Sequence, residues 1–236
     1  MTDHIDSLYP DLLPDHYLQR AERLGAALLC DGMRGLDIPQ EGCMSSAIRP
    51  LDNRMQVVGT AVTVATANGD NFPIHMATYP GRPGFVMVID GQGYSERAYI
   101  GELIIGAAKA VGFKGIIIDG CSRDLLACIE LGLPVFSTGL TPRGPVKKDP
   151  GKVNAPIVCC GVRVNPGDLV VADADGVAVV PRDQIEQVLT NAEEKQQYET
   201  QRKKDISSYE KAFAGGGPLP NLAPQWVVDM LERRPR

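Results

Sequence analysis

The stretch GELIIGAAKAVGFKGIIIDGCSRD, residues 101–124, decides the fold that this sequence predicts. Its first half, Glu102–Val111, carries apolar residues at helical spacing, and Gly112 follows as a typical helix stop. Residues 116–118 are three isoleucines, which is typical of a strand covered on both faces. A helix followed by a buried strand indicates an α/β fold, in which sites tend to lie beyond the carboxyl ends of the strands. The polar residues at that position are Asp119, Ser122, Arg123 and Asp124.

The start of the helix in this stretch is a second candidate feature. A helix that begins at Gly101-Glu102 exposes free backbone N–H groups near residues 102–105, which favour a small anion such as a carboxylate. Arg123 adds a planar cationic fork that suits a carboxylate or an enolate oxygen. Asp124 is a hard oxygen ligand, and one carboxylate completed by waters is an ordinary way to hold Mg²⁺. The structural alternative is that Asp124 or Ser122 caps the following helix and that Arg123 lies on the surface.

The composition restricts the class of protein. The chain has 236 residues, of which 44% are apolar, and this is enough for a substantial core. A net charge of −5 and a pI near 5.3 provide no basic field, so direct nucleic-acid binding is not expected. No apolar segment approaches the roughly 18–20 residues of a membrane span, and the acidic N-terminus lacks the apolar core of a signal peptide. We therefore expect a cytoplasmic protein without membrane association.

Cysteine and histidine usage points the same way. The six cysteines form no CxxC pair and no regular framework, so we expect reduced intracellular thiols. With three histidines in the chain, a zinc site of the His/Cys type is poorly supported. Any metal is expected to take oxygen ligands.

The whole chain is predicted as a core with two appendages. Residues 1–15 are expected to be an unanchored arm, residues 16–182 the α/β core, and residues 183–236 a C-terminal helix and tail that packs between subunits. Helices are predicted at about 16–29, 72–78, 125–131, 183–213 and 225–233. Strands are predicted at 55–67, as one bent strand or a pair, and at 85–89 and 134–136. Residues 141–156 are expected to form a loop or lid, and short strands between 157 and 180 a compact β layer or small barrel.

A dense turn signal, Asn68-Gly69-Asp70-Asn71, follows the 55–67 strand and leads into the 72–78 helix with His75. The ordinary interpretation of Asn71 is turn chemistry, and that of His75 is a satisfied histidine. Both residues nonetheless follow a strand, as Arg123 does, and are candidates for substrate binding.

Two nucleotide-binding motifs are excluded. The sequence Asp90-Gly91-Gln92-Gly93 suggests a dinucleotide turn, but Glu96 occupies the place of the third glycine and no suitably placed acidic residue follows. The chain also has no GxxxxGK[ST] loop, so a P-loop enzyme is not expected.

An ordered set of motifs resembles the RraA-like family. The set is GDN…H at 69–75, DGxG at 90–93, GE at 101–102, DGxxRD at 119–124 and CGVxVxPGDxVVADxDGVxVVP at 160–181. The family contains regulators of ribonuclease activity and class II aldolases for 4-hydroxy-4-methyl-2-oxoglutarate (HMG) and 4-carboxy-4-hydroxy-2-oxoadipate (CHA). The resemblance covers roughly residues 55–181 and is carried by the order of the motifs.

The resemblance implies a swivelling β/β/α-type domain with a layered α/β/β/α core and a C-terminal helical extension. It implies homotrimers or homohexamers with sites between subunits. Asp124 would hold Mg²⁺ or Mn²⁺ through waters, Arg123 would contact the substrate oxygen, and backbone N–H groups around Leu103 and Ile104 would hold the pyruvate carboxylate. Glu199, on a neighbouring subunit's C-terminal helix, would approach the metal waters, with Glu193 and Glu194 as nearby alternatives.

Three hypotheses follow. The leading one is a metal-dependent lyase that cleaves the C3–C4 bond of a 4-hydroxy-2-oxo acid or of oxaloacetate and releases pyruvate, with Arg123, Asp124 and Glu199 as catalytic residues. The alternative is a non-catalytic protein that regulates a ribonuclease by protein contact. A third, a Schiff-base aldolase using Lys109 or Lys114, would ignore EDTA. Some relatives carry a methyltransferase name, but no glycine-rich loop suits S-adenosylmethionine.

Overall fold

The computed structural model describes residues 9–233, which divide into two compact units between Glu193 and Glu194. Within the described residues the helices are α1 (Asp15–Met33), α2 (Phe72–Thr78), α3 (Glu102–Val111), α4 (Leu125–Leu131), α5 (Ile185–Ala214) and α6 (Gln225–Glu232). The long strands are β2 (Val57–Ala65), β3 (Phe85–Ile100), β4 (Gly115–Ser122), β5 (Val135–Leu140), β9 (Leu169–Asp173) and β10 (Gly176–Val180). The short strands are β1 (Arg49–Pro50), β6 (Lys152–Val153), β7 (Ile157–Cys159) and β8 (Val162–Val164).

The first unit is built on one mixed sheet with the order β1-β5-β4-β3-β2-β9-β10. Strands β2 to β5 are mutually parallel, because a helix, α2, α3 or α4, returns the chain between each of these strands and the next. Strands β1, β9 and β10 add to the edges in antiparallel orientation, and β7 and β8 form a separate hairpin. The parallel centre therefore places the carboxyl ends of β2, β3, β4 and β5 at one edge.

The sheet is covered on both faces, as its continuous apolar strands require. Isoleucines 116 and 118 of β4 pack with Ile104, Ile105 and Ala108 of α3 on one face, whereas Ile117 faces the β7–β8 hairpin on the other. Each fully buried isoleucine contributes about 1.5–3 kcal/mol of transfer free energy. A third core joins α1 and the first turns of α5 to the outer face of β9 and β10. The mixed α/β architecture is thus the predicted one.

Several helices begin and end where the sequence predicts. α2 and α4 match the predicted bounds, and Gly112 and Gly132 end α3 and α4 in the left-handed conformation that glycine adopts without strain. The expected helix from residue 16 runs on through Gly32 to Met33. The predicted long helix is α5, whose first turns lie in the first unit, and the compact units divide inside it after Glu193.

The predicted end of the second strand at residue 89 is wrong. β3 continues to Ile100, because Gln92 and Gly93 adopt positive φ angles that form an irregular bulge rather than a reversal. Pairing with β4 resumes beyond the bulge at Tyr94, Ala98 and Ile100. The strands expected as one compact β layer or small barrel divide between two sheets, because β7 and β8 form a hairpin of their own whereas β9 and β10 extend the main sheet through β2.

Two further expectations are corrected. The expected unanchored arm is anchored in its described part: the Tyr9 hydroxyl donates to the Ala77 carbonyl at 2.6 Å, and the Leu13 N–H donates to Thr60 Oγ1 at 2.9 Å. Residues 1–8 of that predicted arm lie outside the described residues. The expectation of reduced thiols throughout fails at Cys30 and Cys43, which form a disulfide because the chain brings their Cα atoms to 6.1 Å.

No helix among residues 9–233 is long and apolar enough to cross a membrane.

Candidate functional site

Segments that follow four neighbouring parallel strands meet around one cavity. Asn71 follows β2, Gly101 follows β3, Arg123 follows β4, and Pro145 follows β5. Connections at the carboxyl edge of a parallel sheet are the usual place for a ligand site. The cavity has a volume of about 210 Å³. Its lining residues are Asn71, His75, Tyr79, Tyr99, Ile100, Gly101, Leu103, Ile104, Arg123, Asp124, Pro145 and Lys147.

Asp124 stands at the N-cap position of α4, but its side chain does not cap that helix. Its backbone adopts left-handed angles, φ 59° and ψ 41°, an uncommon conformation for a non-glycine residue. Its Oδ2 instead accepts a long hydrogen bond, 3.3 Å, from the Glu102 N–H at the start of α3. The carboxylate thus lies at the positive end of α3, where the helix dipole favours negative charge.

Gly101 makes this arrangement possible. A Cβ atom at Gly101 would lie 2.5 Å from Asp124 Oδ2 and 2.8 Å from Arg123 Cγ. Its φ of −167° is ordinary extended backbone, so glycine is required here by space and not by conformation. The first N–H groups of α3 lack acceptors within the helix, and Leu103 and Ile104 of this first turn line the cavity.

Arg123 provides the cationic fork of the cavity. Its Nε lies 3.4 Å from Asp124 Oδ2, and the two side chains are 40% and 42% exposed, so both heads remain accessible. A Cβ atom at Gly144 would lie 3.0 Å from Arg123 Nη1, so this guanidinium is held between two glycines. The pair is too exposed to count as a stabilising ion pair of the core. Its charges are available to a ligand.

Two buried polar atoms of cavity-lining residues lack partners among the described residues. Asn71 is 3% exposed, and its Nδ2 donates to the Tyr99 carbonyl at 3.0 Å, which leaves Oδ1 unsatisfied. His75 Nδ1 lies 3.0 Å from the Tyr79 hydroxyl, and its Nε2 is unsatisfied. Burial, and secondly the charge of Lys147, lowers the pKa of the His75 imidazole. Unpaired buried polar atoms are costly, so a ligand or water that pairs them is favoured here.

The packing of Tyr99 explains why the motifs DGxG and DGxxRD contain glycine. Its buried hydroxyl donates to the Gly91 carbonyl at 2.6 Å and accepts from the Gly69 N–H at 2.9 Å. A Cβ at Gly91 would approach this ring to 3.1 Å, and one at Gly120 to 2.7 Å. Burial raises the pKa of Tyr99 to about 12, so the phenol stays neutral. These motif glycines therefore make room for the residue that supports the cavity floor.

The sequence-derived candidates separate into two groups. Seven of them line the same cavity: Gly101, Leu103, Ile104, Arg123, Asp124, Asn71 and His75. Glu102 contributes its N–H to Asp124, while its side chain is exposed. Glu199 lies on α5 in the second unit, and its position relative to the cavity stays a prediction. The alternative Glu193 is engaged by Arg20, with Nε–Oε1 at 2.8 Å and Nη2–Oε2 at 3.0 Å.

Five lining residues were not singled out from the sequence. Tyr79 follows α2, Tyr99 and Ile100 lie in the unpredicted half of β3, and Pro145 and Lys147 belong to the segment expected to be a loop or lid. Only this last segment had a signal in the sequence, the expectation of a loop or lid at 141–156. The lysines of the Schiff-base hypothesis are elsewhere: among the described residues, neither Lys109 nor Lys114 lines this cavity.

The donor set fits a hydrated divalent cation. In the described part of the chain, no group of three or more His, Cys, Asp or Glu side chains could enclose a metal. Asp124 offers one accessible carboxylate in the cavity, and Asn71 Oδ1 offers a hard oxygen without a partner. Mg²⁺ is commonly held by one or two protein oxygens with waters and substrate completing its shell. Such a set suits Mg²⁺ or Mn²⁺ and not a closed zinc site.

Comparisons with known proteins match this architecture. The family model described as RraA-like, Aldolase/RraA, matches residues 26–179. A protein of Halalkalibacterium halodurans with the provisional name 4-hydroxy-4-methyl-2-oxoglutarate aldolase is 44% identical over 164 residues, 70% of this chain and 78% of that protein. The structure of Streptomyces coelicolor RraAS2, described as an unusual member of the RNase ES inhibitor RraA family, has a TM-score of 0.74 at 28% identity and covers 81% of this chain and 98% of that one. The RNA-processing inhibitor RraA from Thermus thermophilis has a TM-score of 0.55 at 26% identity, covering 59% and 84%.

Proposed function

This chain belongs to the RraA-like family and has its fold, and on that premise we propose that it is a metal-dependent lyase that releases pyruvate from a 2-oxo acid. The observation that carries the proposal is the cavity itself, in which the Arg123 fork and the Asp124 carboxylate lie together beside the first turn of α3. The provisional aldolase name of the relative that is 44% identical supports the same chemistry.

The proposed substrate is a 4-hydroxy-2-oxo acid of the HMG/CHA type, or oxaloacetate. Its C1 carboxylate would accept hydrogen bonds from the N–H groups of Leu103 and Ile104, which the dipole of α3 reinforces. Lys147 gives the cavity a second cation. Two cations and a helix terminus favour an acid with more than one negative charge.

The reaction breaks the C3–C4 bond and leaves its electron pair on C3. Arg123 would stabilise the resulting enolate of pyruvate by donating two parallel hydrogen bonds, and protonation of C3 then completes pyruvate. An aldol substrate also loses its 4-hydroxyl proton and leaves as a carbonyl compound, whereas oxaloacetate leaves CO₂. We propose Glu199 of a neighbouring subunit as the carboxylate that assists removal of the hydroxyl proton.

Asp124, through waters, would hold Mg²⁺ or Mn²⁺. When bound, such an ion supplies Lewis acidity toward the 2-oxo group.

The decisive experiment is pyruvate release from oxaloacetate and from 4-hydroxy-4-methyl-2-oxoglutarate, coupled to lactate dehydrogenase. We expect excess EDTA to abolish release and added Mg²⁺ to restore it. Asp124→Ala should remove the Mg²⁺-dependent rate. A wild-type rate in Asp124→Ala would contradict the assignment of this carboxylate.

A second function, regulation of a ribonuclease by protein contact, is favoured by the descriptions of the two structural relatives, one as an RNA-processing inhibitor and the other as an unusual member of the RNase ES inhibitor family. It predicts direct binding to a ribonuclease, slower RNA cleavage, and no effect of Arg123→Ala on either. Absence of pyruvate release together with Arg123-independent inhibition would replace the lyase proposal with this one.

A further inference from the structure

Asp70 is a buried carboxylate whose partners are all backbone N–H groups. It is 2% exposed, and its Oδ1 accepts from Phe72 N at 2.8 Å. Its Oδ2 accepts from Lys148 N at 2.7 Å and from Asp149 N at 2.9 Å. Burial alone would raise the pKa of this carboxyl, but the three N–H groups and the charge of Lys147 together lower it. Asp70 is therefore held in its charged form.

The three donors come from two separate segments, each of which carries residues that line the cavity. Phe72 is the first residue of α2, the helix that carries His75, whereas Lys148 and Asp149 follow Lys147 in the segment after β5. Two backbone bonds join the same segments beside the carboxylate: Asn71 N to Val146 O at 3.1 Å, and Val146 N to Gly69 O at 2.8 Å. The two segments are thus joined by three hydrogen bonds to the Asp70 side chain and by two backbone hydrogen bonds beside it.

The segment 141–149 is also tied to the sheet. Its backbone receives a hydrogen bond from Ala98 N to Arg143 O at 2.8 Å, and Thr141 N donates to Ser122 O at 3.0 Å. The Arg97 guanidinium donates to Gly144 O at 2.7 Å. This segment is a fixed wall of the cavity in the structure, whereas the sequence left open a loop or a lid.

We propose that Asp70 is a positioning residue of this site: its carboxylate joins the start of α2 to residues 148–149 and thereby holds Asn71, His75 and Lys147 at their places on the cavity wall. The carboxylate is specific for this task because both of its oxygens accept, one on each side. An asparagine would present an N–H₂ group to one wall and repel its N–H donors. The role of Asp70 in positioning the walls does not depend on the proposed function. The effect of Asp70 on catalysis does rest on the proposed function.

The test is Asp70→Asn in the full chain, read out at two places on the cavity wall and compared with a control variant that also loses stability. The first is hydrogen exchange in native buffer, in which the amides of Lys148 and Asp149 should exchange at least about tenfold faster. The second is the pKa of His75 followed by NMR, with His75→Gln to assign its signal. The pKa of His75 should rise toward its ordinary value, because water reaches the imidazole and the positive charge of Lys147 moves away from it. The other titratable groups that line the cavity with His75 are Tyr79, Tyr99, Arg123 and Asp124.

Asp168→Asn is the matched control. Asp168 is 3% exposed and likewise accepts backbone N–H groups, from Asn165 at 2.8 Å and Arg182 at 3.1 Å. It lies next to Leu169, which pairs with Thr60 in the first half of β2, away from the cavity edge. This variant should lose stability and leave both readouts unchanged. Equal changes in the two variants, or unchanged readouts in Asp70→Asn, would overturn the proposal.

A second variant keeps the test open if Asp70→Asn does not fold. Lys148→Pro removes one of the three donors from the exposed side and leaves Asp70 in place. The pKa of His75 should rise here as well, and an unchanged pKa would contradict the proposal.

Activity is a separate readout: if the lyase function holds, Asp70→Asn should lower kcat/KM about tenfold or more. Absence of turnover in the wild type would reject the lyase and leave the NMR and exchange results to decide the role of Asp70.

Discussion

Gly101 is the residue that admits the two charged side chains of the candidate site. Gly101→Ala should lower pyruvate release by at least about tenfold, because its Cβ would displace the Asp124 carboxylate 2.5 Å away and the Arg123 stem 2.8 Å away. The measurement is the Mg²⁺ concentration needed for half-maximal rate, together with kcat.

Gly106→Ala is the control for this prediction. Gly106 lies within the same helix, where a Cβ would meet Leu131 at an ordinary 3.8 Å. Replacing an interior helix glycine by alanine should stabilise the protein by about 0.5–1 kcal/mol and leave the rate unchanged. An undisturbed Mg²⁺ dependence in Gly101→Ala would show that the two charges do not act together.

Replacing Arg123 by lysine keeps the positive charge and tests whether the site needs the shape of the guanidinium. Arg123→Lys should lower kcat about 10²–10³-fold, because an ammonium cannot donate two parallel hydrogen bonds to an enolate oxygen and a carboxylate. Arg54→Lys is the control, since Arg54 forms the same kind of fork with Asp52, Nη2–Oδ2 2.8 Å, on the exposed surface. A lysine that supports the full rate at position 123 would reduce the role of Arg123 to simple charge.

At the scale of elements, the sequence predicts the helices and strands whose ends are determined by neighbouring residues in the chain. α2 and α4 have the predicted bounds because a turn precedes each and, in α4, Gly132 ends it. β3 was underestimated because its second half depends on pairing with β4 across a bulge, a non-local contact that no local pattern signals. The candidate site was predictable where side chains follow strand ends, as at Arg123. Lys147 could not be placed, because its position depends on the Asp70 hydrogen bonds to residues far along the chain.

The disulfide between Cys30 in α1 and Cys43 provides a prediction about an element. It closes a loop with a sequence separation of 13 residues, so the double variant Cys30→Ser/Cys43→Ser should lose about 3 kcal/mol of unfolding free energy in oxidising buffer. The measurement is urea unfolding with and without a reductant. The reductant should destabilise the wild type and not the variant, whose remaining cysteines are the buried free thiols Cys121, Cys128, Cys159 and Cys160. Equal stability of wild type and variant without reductant would mean that the bridge does not form in solution.

At the scale of the whole molecule, the acid stability should depend on Asp70. A carboxyl whose pKa is lowered in the folded state stabilises the protein above its ordinary pKa of about 4, and this stabilisation is lost as the pH falls through the lower folded value. The free energy of unfolding of the wild type should therefore fall from pH 5 toward pH 2. Asp70→Asn should be less stable at pH 7, by about 1–3 kcal/mol, and its stability should fall less steeply with acid. Parallel pH curves for the two proteins would contradict the assigned direction of this pKa.

The proposal that each site is shared between subunits makes a quantitative prediction for mixed oligomers. Arg123→Ala and Glu199→Ala should each be inactive alone. The two variants are then coexpressed and assemble at random in a closed ring. A complete site needs the intact Arg123 of a Glu199→Ala chain next to the intact Glu199 of an Arg123→Ala chain. About one quarter of the sites should therefore be active. The matched control is coexpression of Arg123→Ala with Asp124→Ala, since both residues line the cavity of one chain and no complete site can form. If activity returns only in the first mixture, Glu199 acts from the neighbouring subunit. If activity returns in neither mixture, the lyase chemistry is confined to the cavity of a single chain.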